Sequence, residues 1–256
     1  MKKVLVFLVL LVSAAFPVFA EDPVQDENRS FYTGNVYYEK KDYVKALENY
    51  RAALDMGIES GSLYYNIGNA YLKTGKIGYA ILFYEKAARL IPQDGDLKSN
   101  MMYAKAFVPG ASPVEPSILS RAASLIKFPF GDLNLNVVAV TAIVLYLLSV
   151  GMAILFLVTP FFVRKLRILF ILAVFTFLWS GLVFAVRYYE EEVLKKGVVV
   201  VKSAEAKYEP VESSTKFYRV QEGDEVTVLE TREGWRHIRR PDGKSAWISE
   251  ASVEEI

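Results

Sequence analysis

The sequence predicts a multi-domain membrane protein with an all-α repeat domain, a two-helix transmembrane hairpin and a small all-β barrel. Three observations predict it: a repeat with a period of 34 residues, two long apolar stretches without a charge, and short β-type runs after Gly197. The 256 residues carry a formal net charge of +1, no cysteine and one histidine, His237. This composition excludes disulfides and argues against nucleic-acid binding, so no nucleic acid, metal or cofactor is expected.

The N-terminus has the three zones of an export signal. Met1–Lys3 is basic, Val4–Val12 is an unbroken apolar run, and Ser13–Ala20 is rich in small residues and ends in an A-x-A-like site. Because the apolar run is short for a spanning helix, residues 1–20 are predicted to be a secretory signal peptide. An uncleaved anchor is the alternative. Either way, the residues that follow are predicted to lie outside the cytoplasm.

Residues 21–108 repeat themselves with an offset of 34 residues, which places residues of the same type on each other. The superposed pairs are Gly34 and Gly68, Asn35 and Asn69, Tyr37 and Tyr71, Ala46 and Ala80, Tyr50 and Tyr84, and Ala53 and Ala87. Small residues at such positions let two antiparallel helices cross closely, and the tyrosines fill the space between them. The pattern resembles the tetratricopeptide repeat, with Tyr in place of its usual Trp and Phe.

Each repeat is predicted to be a helix pair. A third, partial helix is expected after the second pair, because a stack of two repeats leaves an apolar end face that needs a cap. The predicted helices are Ser30–Lys41, Tyr43–Met56, Ser62–Thr74, Ile77–Ile91 and the cap Asp96–Val108. The apolar stripe of the cap consists of Leu97, Met101, Met102, Ala104 and Phe107.

The resemblance implies a concave groove lined by the first helix of each pair. The predicted protein-binding residues in this groove are Phe31, Asn35, Tyr38, Tyr65, Asn69 and Leu72. Asn35 and Asn69 match the asparagines with which clamp-type repeats hold an extended peptide, a role that suits an amide because it both donates and accepts. The alternative is that these amides only satisfy nearby polar groups. Basic residues of a carboxylate clamp are missing, which argues against capture of a C-terminal carboxylate.

Residues 109–134 are predicted to be a linker, because prolines and a glycine between 109 and 116 break the helical pattern. Within this linker, Ser117–Lys127 is predicted to be an amphipathic helix, either at a membrane interface or packed on the repeats.

Two apolar stretches follow, Val137–Phe162 and Ile168–Val186, each long enough to cross a bilayer. Transmembrane helices are therefore predicted at 135–163 and 168–187, with a basic cytoplasmic turn at 164–167. The predicted location is the bacterial inner membrane, with both soluble domains extracytoplasmic. Since neither span contains a charged residue, a transporter or channel is not expected.

Residues 197–256 have the sequence pattern of a small β-barrel, with short β-type runs separated by turn signals. The predicted strands are Val198–Lys202, Phe217–Val220, Glu225–Glu230, Trp235–Arg239 and Ala246–Ile248. The run from Glu222 to Val226, followed by Gly234-Trp235 and Trp247-Ile248, resembles the bacterial SH3 domain. Tyr208, Trp235 and Trp247 are predicted to form an aromatic ligand-binding strip, with core packing as the alternative for the tryptophans.

The order of export signal, two tetratricopeptide repeats, membrane hairpin and SH3-like domain resembles the E-protein family of the bacterial aerotolerance (Bat) operon. The resemblance is sharpest between Tyr64 and Pro92. It implies protein partners, among them membrane-bound von Willebrand factor A-type proteins of the same operon.

The predicted function is a membrane-anchored, extracytoplasmic scaffold for protein–protein interaction. It is predicted not to be an enzyme, because no phosphate-binding or dinucleotide-binding motif occurs in the sequence. The alternative is a cell-envelope sensor or attachment protein that binds peptidoglycan through the SH3-like domain.

Overall fold

The computed structural model describes residues 27–108, 118–128, 133–158 and 163–256. The predicted signal peptide (1–20) and the proline-rich start of the predicted linker lie outside these residues. The described chain begins with a helical region, continues through three further helices and ends in a β-sheet.

The helical region consists of two helix pairs and a fifth helix. Its elements are α1 Glu27–Glu39, α2 Tyr43–Asp55, α3 Gly61–Lys73, α4 Ile77–Leu90 and α5 Gly95–Lys105. Asp42, Ser60 and Asp94 each cap the helix that follows them. Their side chains accept a hydrogen bond from the backbone amide three residues further on, at distances between 2.8 and 3.2 Å. Oxygen-bearing caps of this kind satisfy backbone donors that a helix leaves unpaired at its start.

The predicted 34-residue repeat is confirmed by burial. Three pairs of positions one repeat apart have no exposed surface: Ala46 and Ala80, Tyr50 and Tyr84, and Ala53 and Ala87. The buried tyrosines of α2 and α4 therefore form the centre of each helix pair.

The predicted capping helix is present as α5, but its apolar stripe differs from the prediction. Leu97 and Ala104 are buried against the helix pairs, and Met101 packs on the same core. Met102 and Phe107 are instead 67% and 52% exposed. Met102 lies on the outer side of α5, and Phe107 lies in the turn after the helix ends at Lys105, so neither continues the buried stripe.

Three helices follow, α6 Ile118–Lys127, α7 Leu135–Val158 and α8 Val163–Tyr188, and a π-helical turn at Tyr189–Val193 extends the last one. Leu135–Leu155 and Ile168–Val193 have a mean hydropathy of 2.5 and are long and apolar enough to cross a membrane. Residues 164–167 were predicted to be a turn, but they lie in the first turns of α8. The helix includes these residues because arginine, lysine and leucine all have high helix propensity.

Polar contacts hold α6 beside the start of α7 and the end of α8. The Lys127 ammonium lies 2.9 Å from the Glu190 carboxylate, and Trp179 Nε1 donates a hydrogen bond of 3.3 Å to the Phe128 carbonyl. Arg187 donates to the Leu133 carbonyl. Both outer ends of the helical hairpin are therefore tied together.

Seven antiparallel strands form one sheet in the order β3-β2-β6-β5-β4-β1-β7. Their bounds are β1 Lys196–Val199, β2 Ser203–Lys207, β3 Lys216–Gln221, β4 Glu225–Arg232, β5 Trp235–Arg239, β6 Ser245–Ser249 and β7 Val253–Glu255. Val220, Ile238 and Ile248 form the centre of the sheet core and have no exposed surface. The predicted all-β domain is confirmed, with β2 and β7 as strands that the sequence did not indicate.

Candidate interaction surfaces

The first predicted groove asparagine lies in a network that joins three helices. The Oδ1 atom of Asn35 on α1 accepts a hydrogen bond of 2.8 Å from the Tyr50 hydroxyl on α2. It accepts a second, of 2.9 Å, from Nδ2 of Asn66 on α3. This one oxygen therefore connects both helices of the first repeat to the second repeat.

The second groove asparagine repeats the arrangement 34 residues later. Asn69 Oδ1 accepts hydrogen bonds of 2.7 Å from the Tyr84 hydroxyl and 2.9 Å from Nδ2 of Asn100 on α5. Nδ2 of Asn100 also donates to the Tyr65 hydroxyl at 2.9 Å. The polar network thus belongs to the repeat itself and extends to the capping helix.

The oxygen and the nitrogen of each of these two side-chain amides have different roles. The Oδ1 atoms of Asn35 and Asn69 accept hydrogen bonds from internal donors. This agrees with the alternative that these amides satisfy nearby polar groups. Their Nδ2 groups have no hydrogen-bond partner within the described parts of the chain. Because the oxygen is held by two bonds, the orientation of each amide is defined and its nitrogen is left as a donor for a ligand.

The tyrosines at the centre of each repeat also need a glycine on the facing helix. A Cβ atom on Gly34 would lie 2.4 Å from Tyr50 Cε1, and one on Gly68 would lie 2.6 Å from Tyr84 Cδ1. Both distances are far below van der Waals contact. The predicted close helix crossing at these glycines is therefore present.

The predicted groove residues are partly buried, being neither core nor free surface: Phe31, Asn35, Tyr38, Tyr65, Asn69 and Leu72. The Phe31 ring lies 6.1 Å from the Tyr50 ring, and one repeat later the Tyr65 ring lies 6.1 Å from the Tyr84 ring. The half-buried aromatic rings and the amides thus recur with the same spacing in the two repeats.

Burial controls the ionisation of the tyrosines around the amides. It raises the pKa of Tyr38, Tyr50 and Tyr84, and neighbouring tyrosine hydroxyls add to the effect. These hydroxyls therefore stay protonated at neutral pH, and those of Tyr50 and Tyr84 keep donating to Asn35 and Asn69.

In the C-terminal sheet, the predicted aromatic strip falls into two groups, and the tryptophans form the first. Trp247 is paired with His237 across β5 and β6, and their rings stack at a centroid distance of 4.8 Å. The Lys207 ammonium lies 5.1 Å from the centre of the Trp235 ring. Burial lowers the pKa of His237, so the imidazole is neutral at physiological pH.

Tyr208 forms the second group with Phe217, a residue that the sequence reasoning did not single out. Their ring centroids are 4.6 Å apart, and the side chains are 57% and 40% exposed. The two exposed rings in contact form a small apolar patch, which makes them a candidate binding surface. The alternation of residues along β3 could have indicated that Phe217 lies on the exposed face of the strand.

Comparison with protein families agrees with this architecture. A TPR repeat family matches residues 34–75, a tetratricopeptide repeat family matches residues 61–94, and a bacterial SH3 domain family matches residues 209–254. The chain carries tetratricopeptide repeats and a bacterial SH3 domain. A comparison with curated proteins finds no match. Within the described residues there is no group of three or more His, Cys, Asp or Glu that could hold a metal ion.

The repeat domain and the SH3 domain are joined by a contact that the sequence did not indicate. The backbone amide of Gly78, in the first turn of α4, donates a hydrogen bond of 2.9 Å to Oε1 of Glu222. A Cβ atom on Gly78 would lie 2.4 Å from the Val199 carbonyl oxygen. Val198 and Val200 belong to the same hydrophobic cluster as the buried residues of the repeats. The SH3 domain is thus docked on α4 through β1 and the turn before β4.

A lysine between two carboxylates supports this joint. Lys105 on α5 pairs with Glu85 on α4 at 2.7 Å and with Glu225 on β4. Burial opposes the charge on Lys105, but the two glutamates outweigh it and raise the pKa of the lysine. The ammonium therefore remains charged and links the two domains.

Proposed function

We propose that this chain is a membrane-anchored, non-enzymatic scaffold that presents the repeat groove and the SH3 domain together on the extracytoplasmic side of a bacterial inner membrane. Tetratricopeptide repeats and SH3 domains are typically interaction modules without catalytic activity. The apolar helices α7 and α8 supply the anchor. The export signal predicted at residues 1–20 and the basic residues at 164–167 support this placement.

The observation that carries the proposal is the pair of unpartnered Nδ2 donors on Asn35 and Asn69. They lie one repeat apart and are oriented by the internal bonds of their oxygens. The backbone of an extended peptide offers carbonyl oxygens that such donors can bind. Because the amides are fixed before binding, less conformational entropy is lost when a peptide is bound.

The partners proposed are membrane-bound von Willebrand factor A-type proteins of a Bat-type aerotolerance complex. The order of export signal, repeats, membrane hairpin and SH3 domain supports this proposal. An extended segment of such a partner would place its backbone along the groove asparagines and its side chains against the half-buried rings of Phe31 and Tyr65.

The test uses Asn35→Asp combined with Asn69→Asp in the full chain. Aspartate keeps an oxygen to accept from Tyr50 and Tyr84, but it removes the outward N–H donors and adds a charge. Affinity purification from crosslinked membranes should recover partner proteins with the wild type, and their recovery with the double variant should fall about tenfold or more.

The control is Asn49→Asp, which makes the same chemical change on the outer side of α2, where Asn49 Nδ2 donates to the Lys45 carbonyl. Partner recovery should be unchanged in this variant. If the double variant keeps its helical circular-dichroism signal and recovers the same partners as the wild type, the groove is not the binding surface.

A second function, peptidoglycan binding by the SH3 domain, is favoured by the exposed pair of Tyr208 and Phe217. Tyr208→Ala removes half of this pair with little effect on the sheet core, because the ring lies on the surface. Muropeptide binding by the wild type that Tyr208→Ala weakens would support this function, and wild-type protein without muropeptide binding would contradict it.

A further inference from the structure

A cavity of about 380 Å³ lies where four parts of the chain meet: the repeat domain, the start of α7, the π-helical turn after α8 and Ile256 after β7. One wall belongs to the repeat domain and carries Glu59 just before α3 and Lys86, Arg89 and Leu90 of α4. The facing wall is formed by the start of α7, at residues 134–136, and by Glu192 in the π-helical turn after α8. Nothing in the groove or in the SH3 aromatic groups accounts for this cavity.

The cavity lies at the end of both apolar helices. Leu135 is the first residue of one candidate membrane span, and Glu192 is next to the last residue of the other. If α7 and α8 cross a bilayer, as in the proposed function on which this inference rests, the cavity is level with the lipid headgroups. The hydrocarbon core of the bilayer would end at the side of the cavity that faces the apolar helices.

The wall from the repeat domain carries two cations, Lys86 and Arg89, and one carboxylate, Glu59, so its net charge is positive. Lys86 and Arg89 are three residues apart and lie on the same side of α4. Neither forms an ion pair among the residues that the structure describes, and the Lys86 ammonium lies 5.8 Å from the centre of the Phe83 ring. An arginine and a lysine on one cavity wall that are not held in ion pairs are suited to bind a phosphate.

The facing wall is negatively charged, but only part of this charge is available. The Glu191 carboxylate is paired with Arg187, and that of Glu190 is paired with Lys127. Glu192 has no ion pair within the described ranges of the chain. The cavity therefore offers cationic donors on one side and a carboxylate acceptor on the other, with Leu90 and Leu135 as apolar lining.

We propose that this cavity binds the headgroup of an aminophospholipid, in which a phosphate is followed by a primary ammonium group. The phosphate binds Lys86 and Arg89, the ammonium group donates hydrogen bonds to Glu192, and the glycerol region contacts Leu135. A phospholipid with a choline headgroup lacks the N–H donors for Glu192. An anionic phospholipid without an ammonium group leaves Glu192 beside a negative charge.

The experiment is native mass spectrometry of the full chain, released from vesicles of phosphatidylethanolamine, phosphatidylcholine and phosphatidylglycerol in equal amounts with identical acyl chains. The wild type should retain phosphatidylethanolamine about tenfold over each competitor, since hydrogen bonds between charged groups change affinity by about this factor. Lys86→Gln with Arg89→Gln should lose retention of all three lipids. Glu192→Gln should lose the preference for phosphatidylethanolamine but still retain lipid.

The control is Lys40→Gln with Lys73→Gln, which removes the same charge from exposed positions of the repeat domain outside the cavity, and should behave as the wild type. Equal retention of the three lipids by the wild type, or unchanged preference in the Lys86 and Arg89 variant, would overturn the proposal. Soluble glycerophosphoethanolamine is added as a competitor. If it displaces the lipid at equal concentration, the ligand is the free phosphodiester and the proposed lipid source is wrong.

The failure of this site is distinguishable from the failure of the membrane anchor. Alkaline carbonate extraction of the same membranes should leave the wild type and all variants in the pellet. Release of the wild type would contradict the anchor and the lipid site together. A protein that stays in the pellet and retains the lipids without preference contradicts the lipid site alone.

Discussion

At the scale of single residues, each repeat is built around one buried tyrosine. The ring of Tyr84 needs the missing Cβ of Gly68, and its hydroxyl needs the oxygen of Asn69. Glycine and asparagine are adjacent in the sequence, so one turn of the first helix provides both the space and the hydrogen-bond acceptor. The first repeat meets the same requirements with Gly34-Asn35, which explains why this dipeptide recurs.

Replacing Gly68 by leucine should overpack the crossing of α3 and α4. The new side chain would collide with Tyr84, and overpacking of a well-filled core costs about 1–3 kcal/mol of unfolding free energy. Thermal unfolding of the full chain in detergent, followed by circular dichroism, should show a lower melting temperature.

The control for this change is Gly95→Leu in the first turn of α5, where a Cβ atom would meet nothing within 4 Å. This variant gains the higher helix propensity of leucine without a collision, so its melting temperature should not fall. Equal melting temperatures for Gly68→Leu and the wild type would refute the packing described for Gly68.

The raised pKa values of Tyr50 and Tyr84 predict a loss of stability in alkali. The unfolded hydroxyls ionise near the ordinary pKa of 10.0, whereas the folded ones ionise at higher pH because they are buried. Above pH 10.0 the unfolded state therefore binds fewer protons than the folded state, and the free energy of unfolding falls as the pH rises. Denaturant unfolding between neutral and alkaline pH measures this slope.

Tyr50→Phe combined with Tyr84→Phe should flatten this pH dependence, although the hydrogen bonds to the asparagines are also lost. Tyr103→Phe is the matched control, because Tyr103 is exposed on α5 and its variant should keep the wild-type slope. A double variant as steeply pH-dependent as the wild type would show that other groups cause the alkaline loss.

At the scale of elements, the helices of the repeat domain could be predicted closely because period and burial agree. The second helix of the first repeat was predicted at Tyr43–Met56 and is observed at Tyr43–Asp55. The ends of α7 and α8 were harder to place, since uniformly apolar segments have no periodic pattern that marks a boundary.

Two strands were not predicted from the sequence, and the physical reason is the same for both. The β2 sequence Ser-Ala-Glu-Ala-Lys at 203–207 has no β-branched or aromatic residue, and it forms a strand because it pairs with β3 and β6. The three-residue β7 is held by its pairing with β1. In both cases tertiary pairing determines the strand, and a local pattern does not.

The joint between α4 and β1 predicts the effect of Gly78→Val. The added side chain would push against the Val199 carbonyl oxygen, part of the backbone that docks on the helix. Hydrogen exchange at 198–200 and 222–225 should become faster, on the order of tenfold for each 1.4 kcal/mol of docking energy lost. Exchange in β5, inside the SH3 core, should stay slow.

Gly95→Val again provides the control, because it adds the same side chain to the first turn of a helix in open space. Its exchange pattern should match the wild type. If Gly78→Val also left the exchange at 198–200 unchanged, the two domains would not be joined in solution through this contact.

At the scale of the whole molecule, the spacing of Asn35 and Asn69 could be predicted from the repeat, and their binding role stays a prediction, but the relations between domains could not be predicted. The Gly78 position is ordinary for a helix, and Glu222 is part of a turn signal, so neither indicates a contact across 144 residues. The same holds for the cavity beside Lys86, whose walls come from distant parts of the chain. Contacts of this kind depend on how the folded domains pack against each other, which local sequence patterns do not encode.

In the proposed scaffold, both soluble domains form one unit on the extracytoplasmic side, held by a two-helix anchor. Reporter fusions after Val108, at Lys165 and after Ile256 test this placement, because each reporter is active on one side of the membrane only. The proposed topology predicts export of the fusions at Val108 and Ile256 and a cytoplasmic location for the fusion at Lys165. A cytoplasmic location of either soluble domain would contradict it, and opposite locations for Val108 and Ile256 would also exclude the joint between α4 and β1.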